Sequence, residues 1–139
     1  MRLGIVASRF NEAISGQLLE RARGAAEKAG INDCTVVTVP GALEIPLTLQ
    51  WMAQSGRFDA LVALGCVIRG DTYHFEIVCN ESARGVMDVA LEFGIPVANG
   101  ILTTEDEAQA LARLDKAAEV IQVALEMSAL RTRLAAPSK

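Results

Sequence analysis

Apolar residues alternate along this chain between short unbroken runs and longer stretches in which they recur every three or four positions. The runs Arg2–Ala7, Cys34–Val39, Ala60–Ile68 and Pro96–Leu102 are rich in Val, Ile and Leu and stop at Gly, Pro or polar residues, as strands do. The stretches between them predict helices over Glu12–Ala29, Glu44–Gln54 and Glu76–Phe93. A further helix runs to about Leu114 from a cap at Thr103 or Thr104, with Glu105-Asp106-Glu107 as its acidic first turn, and a last one covers Lys116–Leu130. Ile14, Leu18, Ala22, Ala25 and Ala29 form the apolar stripe of the first helix, with Asn11 as its N-cap and Gly30 just past its end. Pro46 falls in the first turn of the second helix, where its missing N–H is harmless. Val120, Ile121, Ala124 and Leu125 share one face of the last helix, and Arg131–Lys139 reads as a frayed, solvated tail.

Strands that alternate with helices join through right-handed crossovers into a parallel sheet covered on both faces. The expected fold is α/β, a three-layer flavodoxin-like sandwich with a four-stranded parallel sheet, built as a single domain over residues 1–139. Ala60–Ile68 is apolar enough to be buried on both sides. The segments of unusual composition, Ser8–Asn11, Pro40–Glu44, Gly70–Phe75 and Thr103-Thr104, then all follow strands. They converge on the carboxyl edge of the sheet, where such folds bind small molecules.

That edge holds the only histidine, His74, a side chain able to exchange protons near neutral pH. Phe10 offers a flat face for a planar heterocycle, or a hydrophobic staple against Ile14. Glu44, beside Gly41 and Ala42, could accept hydrogen bonds from a polyol, although a glutamate at a helix start is the commoner reason for such a residue. Gly70-Asp71-Thr72 precedes a helix, where backbone N–H groups and the threonine hydroxyl can cradle a phosphate. Arg113 and Lys116 could neutralise a phosphate arriving from a neighbouring subunit, or simply be a solvated pair at a helix junction.

Composition narrows the choice. Lys and Arg total 13 against 17 Asp and Glu, a net charge of −4 that argues against nucleic-acid or anionic-membrane partners. No run is long enough to span a membrane, and the start lacks the pattern of a signal peptide. Cys34, Cys66 and Cys79 show no C-x-x-C spacing and read as reduced core thiols of a cytoplasmic protein; with one histidine they make no zinc set. Neither a G-x-G-x-x-G, nor a Walker, nor a G-x-S-x-G pattern is present, so a nucleotide cofactor and a serine hydrolase have no support. Hydrophobic residues make up 51% of the chain and aromatics 4%, an aliphatic excess expected to be buried between subunits.

Arg9-Phe10-Asn11, Pro40-Gly41-Ala42-Leu43-Glu44-Ile45-Pro46, the long motif Ala63–Phe75 and Gly100-Ile101-Leu102-Thr103-Thr104-Glu105 resemble, in order and spacing, the 6,7-dimethyl-8-ribityllumazine synthase family. The similarity runs from Leu3 to Leu130. It implies condensation of 5-amino-6-(D-ribitylamino)uracil with 3,4-dihydroxy-2-butanone 4-phosphate in riboflavin biosynthesis, with no cofactor and no metal. It further implies that Phe10 stacks on the pyrimidine, that Ala42, Leu43 and Glu44 hold the ribityl chain, and that Cys66, Val67 and Ile68 line the ring pocket. Asp71, Thr72 and Arg113 would bind the phosphate, His74 would transfer protons, Asn99 would close the pocket from the adjacent subunit, and Lys116 matches a lysine near the pyrimidine. The implied assembly is a homo-oligomer with sites shared between neighbours, and the implied partners include a riboflavin synthase. Two features differ from many relatives: Arg113-Leu114-Asp115-Lys116 is an abrupt junction, which favours a pentamer or a small multiple over an icosahedral shell, and the chain begins almost at its first strand. The alternatives are an archaeal-type riboflavin synthase paralogue and a non-catalytic flavin- or lumazine-binding domain; Ala7-Ser8-Arg9 lacks the acidic cluster of a phosphoacceptor domain.

Overall fold

The computed structural model describes residues 1–137. Strands β1 (Arg2–Ser8), β2 (Asp33–Val39), β3 (Ala60–Ile68) and β4 (Val97–Thr104) form one parallel sheet in the order β2-β1-β3-β4. Helices α1 (Glu12–Lys28), α4 (Glu107–Leu111) and α5 (Lys116–Ala135) pack on one face; α2 (Ile45–Gln54) and α3 (His74–Phe93) pack on the other. The flavodoxin-like α/β sandwich expected from the alternation is therefore the observed fold.

The pleat sorts β3 between two cores. Ala60, Val62, Leu64 and Cys66 meet Leu18 of α1 and Ile121 of α5, whereas Leu61 and Ala63 meet Ile45 and Leu49 of α2 and Val86 of α3. Burial on both faces explains why this strand reads as one unbroken apolar run. Its register with β1 sets Leu3 opposite Ala60, and with β4 sets Ile68 opposite Thr104, so the strand ends align at one edge.

Several expectations shift by a residue or a turn. On α1 the buried stripe runs Ile14, Leu18, Ala22 and Ala26 in steps of four, so Ala25 is only partly covered, and Ala29, the C-cap beyond the last helical residue, is exposed. Thr103 and Thr104 belong to β4, since their partners Val67 and Ile68 extend the ladder. Asp106 is the N-cap of α4 and accepts from the Gln109 N–H at 2.8 Å, so neither threonine caps it, and this helix stops at Leu111. Helix α3 begins at His74, two residues before the expected Glu76. Helix α5 continues through Arg131 to Ala135, so that part of the chain is helical and exposed rather than frayed; Ser138 and Lys139 lie outside the described residues. Of the three cysteines only Cys66 is fully buried.

Close approach of α2 and α3 depends on a missing side chain. A Cβ at Gly85 would fall 2.7 Å from both Cβ and Cγ of Pro46, whose ring cannot swing aside. Gly85→Ala is therefore expected to destabilise the fold by about 1–3 kcal/mol through overpacking. Urea unfolding checks this, and an unchanged midpoint would contradict it.

Candidate active site

Three segments at the carboxyl edge of the sheet enclose a cavity of about 500 Å³. The first is the β1–α1 loop. Its Arg9 and Phe10 N–H groups donate to the carbonyls of Val39 and Pro40 at 2.8 and 3.1 Å, so it rides on the neighbouring loop. Asn11 sits in the left-handed region at φ 58° and precedes α1 as expected. Its amide, however, makes no helix-capping bond; it donates to the Cys66 carbonyl at 2.9 Å and pins the loop to β3. Between these anchors Phe10 is left 70% exposed at the cavity wall, which is costly for a benzyl group unless something covers it.

The second segment is Gly41 and the 3₁₀ turn Ala42–Glu44. Glu44 Oε1 lies 3.2 Å from where a Cβ of residue 41 would stand, so glycine there leaves room for the carboxylate to fold back beside the backbone. Among the described residues no hydrogen bond or ion pair engages that carboxylate. The third segment comprises Cys66, Val67 and Ile68 at the end of β3, then Gly70, Thr72, His74, Phe75 and Val78. Burial pushes the Cys66 thiol up to about 11, so it stays protonated and acts as wall rather than nucleophile. The Thr72 hydroxyl accepts from the His74 N–H at 3.4 Å, and His74 stands exposed as the first residue of α3.

Of the residues singled out from the sequence, the fold brings Phe10, Ala42, Leu43, Glu44, Cys66, Val67, Ile68, Thr72 and His74 around this cavity. Asp71 is exposed in the adjoining turn and does not border it. Asn99 lies in the middle of β4, its Oδ1 accepting from the Ile101 N–H at 2.9 Å. Arg113 donates to the Gln109 carbonyl at 2.9 Å, and Lys116 pairs with Glu119 at 3.3 Å. Leu114, buried between them, anchors that junction to the core. Within one chain Asn99, Arg113 and Lys116 are apart from the cavity.

Phe75 and Val78 are wall residues that the sequence reading missed. A helix starting at His74 signals both, because positions 74, 75 and 78 share a face. A wider hollow of about 590 Å³ at the opposite edge is lined by Arg2 and Asp59, but these pair with each other at 3.2 Å. That pairing holds the Asp59 carboxyl below its usual range.

An apolar cavity with a few convergent polar groups, at the carboxyl ends of parallel strands, defines a small-molecule site of an α/β protein. The family model of 6,7-dimethyl-8-ribityllumazine synthase matches residues 1–132, and the chain belongs to that family. It is 53% identical to a protein of that name from Paraburkholderia phymatum over 137 residues, 96% of this chain and 80% of the relative. A relative of the same name from Nitrosomonas europaea is 56% identical over 131 residues, 92% and 80% of the two chains. Another from Chromobacterium violaceum is 54% identical over 137 residues, covering 96% and 88%. Membership makes this an enzyme of the transferase class in riboflavin biosynthesis and does not favour the riboflavin-synthase or non-catalytic alternatives.

Proposed function

We propose that residues 1–139 act as one domain that condenses 5-amino-6-(D-ribitylamino)uracil with 3,4-dihydroxy-2-butanone 4-phosphate. The observation that carries this is the single cavity bordered by Phe10, Glu44, the end of β3, Thr72 and His74. The Phe10 ring stacks on the pyrimidine, and Glu44 accepts hydrogen bonds from the ribityl hydroxyls beside Ala42 and Leu43. Cys66, Val67 and Ile68 form the apolar wall behind the ring. Thr72 and Asp71 lie at the phosphate end, where the Asp71 backbone rather than its carboxylate faces the anion.

The 5-amino nitrogen attacks the ketone and water leaves as the imine forms. Loss of the C3 proton and of phosphate from C4 leaves an enol that tautomerises to a new carbonyl at C3, the ribitylamino nitrogen closes the ring on that carbon, and a second water is lost. Each step moves protons and water without a change of redox partner, so the chemistry calls for no redox cofactor and no metal. His74 carries those protons, while most of the acceleration comes from holding both reactants in one cavity.

The site is completed by a neighbour. Asn99, Arg113 and Lys116 sit away from the cavity of their own chain and supply that of the next subunit. Leu47 and Trp51 on α2, and Met87 and Leu91 on α3, are more than half exposed, an apolar surface that a partner covers. Contacts of this head-to-tail kind close into a ring. We take the ring to be a pentamer or a small multiple, in the cytoplasm, able to associate with a riboflavin synthase. No helix among the described residues is long and apolar enough to cross a membrane.

Mixing the protein with both substrates and following absorbance tests the activity: a lumazine chromophore should appear and grow with enzyme concentration. Its absence, or riboflavin formed from lumazine alone, would overturn this reading.

A further inference from the structure

Arg69 follows the last residue of β3 and does not border the cavity, yet the carboxyl edge is organised around it. Its backbone N–H donates to the Thr104 carbonyl at 2.9 Å. Its Nε donates to the Glu105 carboxylate, its Nη1 donates to the Glu76 carboxylate, and its guanidinium carbon stands 4.5 Å from the centre of the Phe75 ring. One cation thus joins the end of β4, the turn after it and the first turn of α3. The guanidinium holds the Glu76 carboxyl below its usual range.

The grip falls on the two residues that follow His74. Apart from the first helical bonds, from the Glu76 and Ile77 N–H groups to the Tyr73 carbonyl at 3.1 and 3.3 Å, little else fixes that point of the chain. Tyr73, the N-cap of α3, makes no side-chain capping bond, and the one local substitute is the long 3.4 Å contact to Thr72. Residues 70–74 are all exposed, and open space surrounds Gly70. Among the described residues no hydrogen bond holds the His74 imidazole. Its place at the cavity is therefore set by the backbone, and the backbone is set by what holds Phe75 and Glu76.

The geometry points to Arg69 as a positioning residue that fixes His74 against the substrates without touching them. This rests on the proton-transfer role proposed for His74. A half-exposed ion pair alone would contribute little. Here one planar fork meets two carboxylates from separate elements while its face covers an aromatic ring, an arrangement that lysine cannot reproduce.

The test is Arg69→Met in two backgrounds, the unaltered enzyme and His74→Ala, with kcat, both KM values and thermal melting measured. In the unaltered enzyme kcat should fall about tenfold through misplacement of the imidazole, with KM for the pyrimidine little changed. In His74→Ala the same substitution should cause no further loss of kcat, because its effect passes through His74. Arg69→Lys, which keeps a cation over Phe75 and one carboxylate, should recover part of the loss. An unchanged kcat in Arg69→Met, or an equal loss in both backgrounds, would overturn the inference while leaving His74 in its role. Full kcat in His74→Ala would instead remove that role and the inference with it. If Arg69→Met does not fold, Glu105→Gln opens one arm of the clamp from a different element, and the same results in the two backgrounds support or overturn the inference.

Discussion

Replacing His74 with alanine is expected to lower kcat by about a hundredfold or more, the usual loss when a general acid/base is removed. The fold should survive, for reasons visible at the residue. His74 is exposed, belongs to neither core and occupies the first position of α3, where alanine is readily accepted. A surface change of this kind alters stability by about 0.5 kcal/mol or less. Steady-state absorbance together with thermal melting separates the two effects. A well-folded variant with unchanged kcat would take His74 out of the mechanism.

Arg113→Ala should act on binding. The side chain is exposed and its one recorded bond, to the Gln109 carbonyl, lies within its own helical turn. Its remaining N–H donors suit the bidentate capture of phosphate across a subunit boundary. Loss of hydrogen bonds to a charged group amounts to about 1.5–3 kcal/mol, or roughly ten- to hundredfold in affinity. That rise should appear in KM for the ketone phosphate and hardly at all for the pyrimidine, and Arg113→Lys should restore only part of it. Equal increases for both substrates would show that Arg113 supports the α4–α5 junction instead.

The layers of the fold were legible because each element carries its own period. β3 is apolar without interruption because it is covered on both sides, and α1 shows its stripe because one face meets the sheet. Boundaries were less legible where tertiary contacts decide them. Thr103 and Thr104 look like helix caps until β3 supplies ladder partners for them. Asn11 was recognised as preceding a helix, but a bond to the Cys66 carbonyl, 55 residues away in sequence, could not be read from local chemistry. The same limit hid Arg69, whose carboxylate partners sit 7 and 36 residues further along. The cavity residues Phe10, Glu44 and His74 were visible because each follows a strand, and parallel strands deliver their ends to one edge. The half proposed to come from a neighbouring subunit was invisible to composition alone: Arg113 and Lys116 look like an ordinary charged helix junction, and in one chain that is how they are bonded.

The central claim, that two neighbouring chains build each active site, is most directly tested by mixing variants. His74→Ala and Arg113→Ala subunits would be unfolded, combined in equal amounts and reassembled, and lumazine formation measured at limiting ketone phosphate. Each reassembled site takes one half from each of two neighbours, so random mixing leaves about one quarter of the sites with both halves intact. The account predicts activity near that fraction, well above either variant alone. Activity no higher than the average of the two separate variants, in rings shown to be mixed, would contradict it.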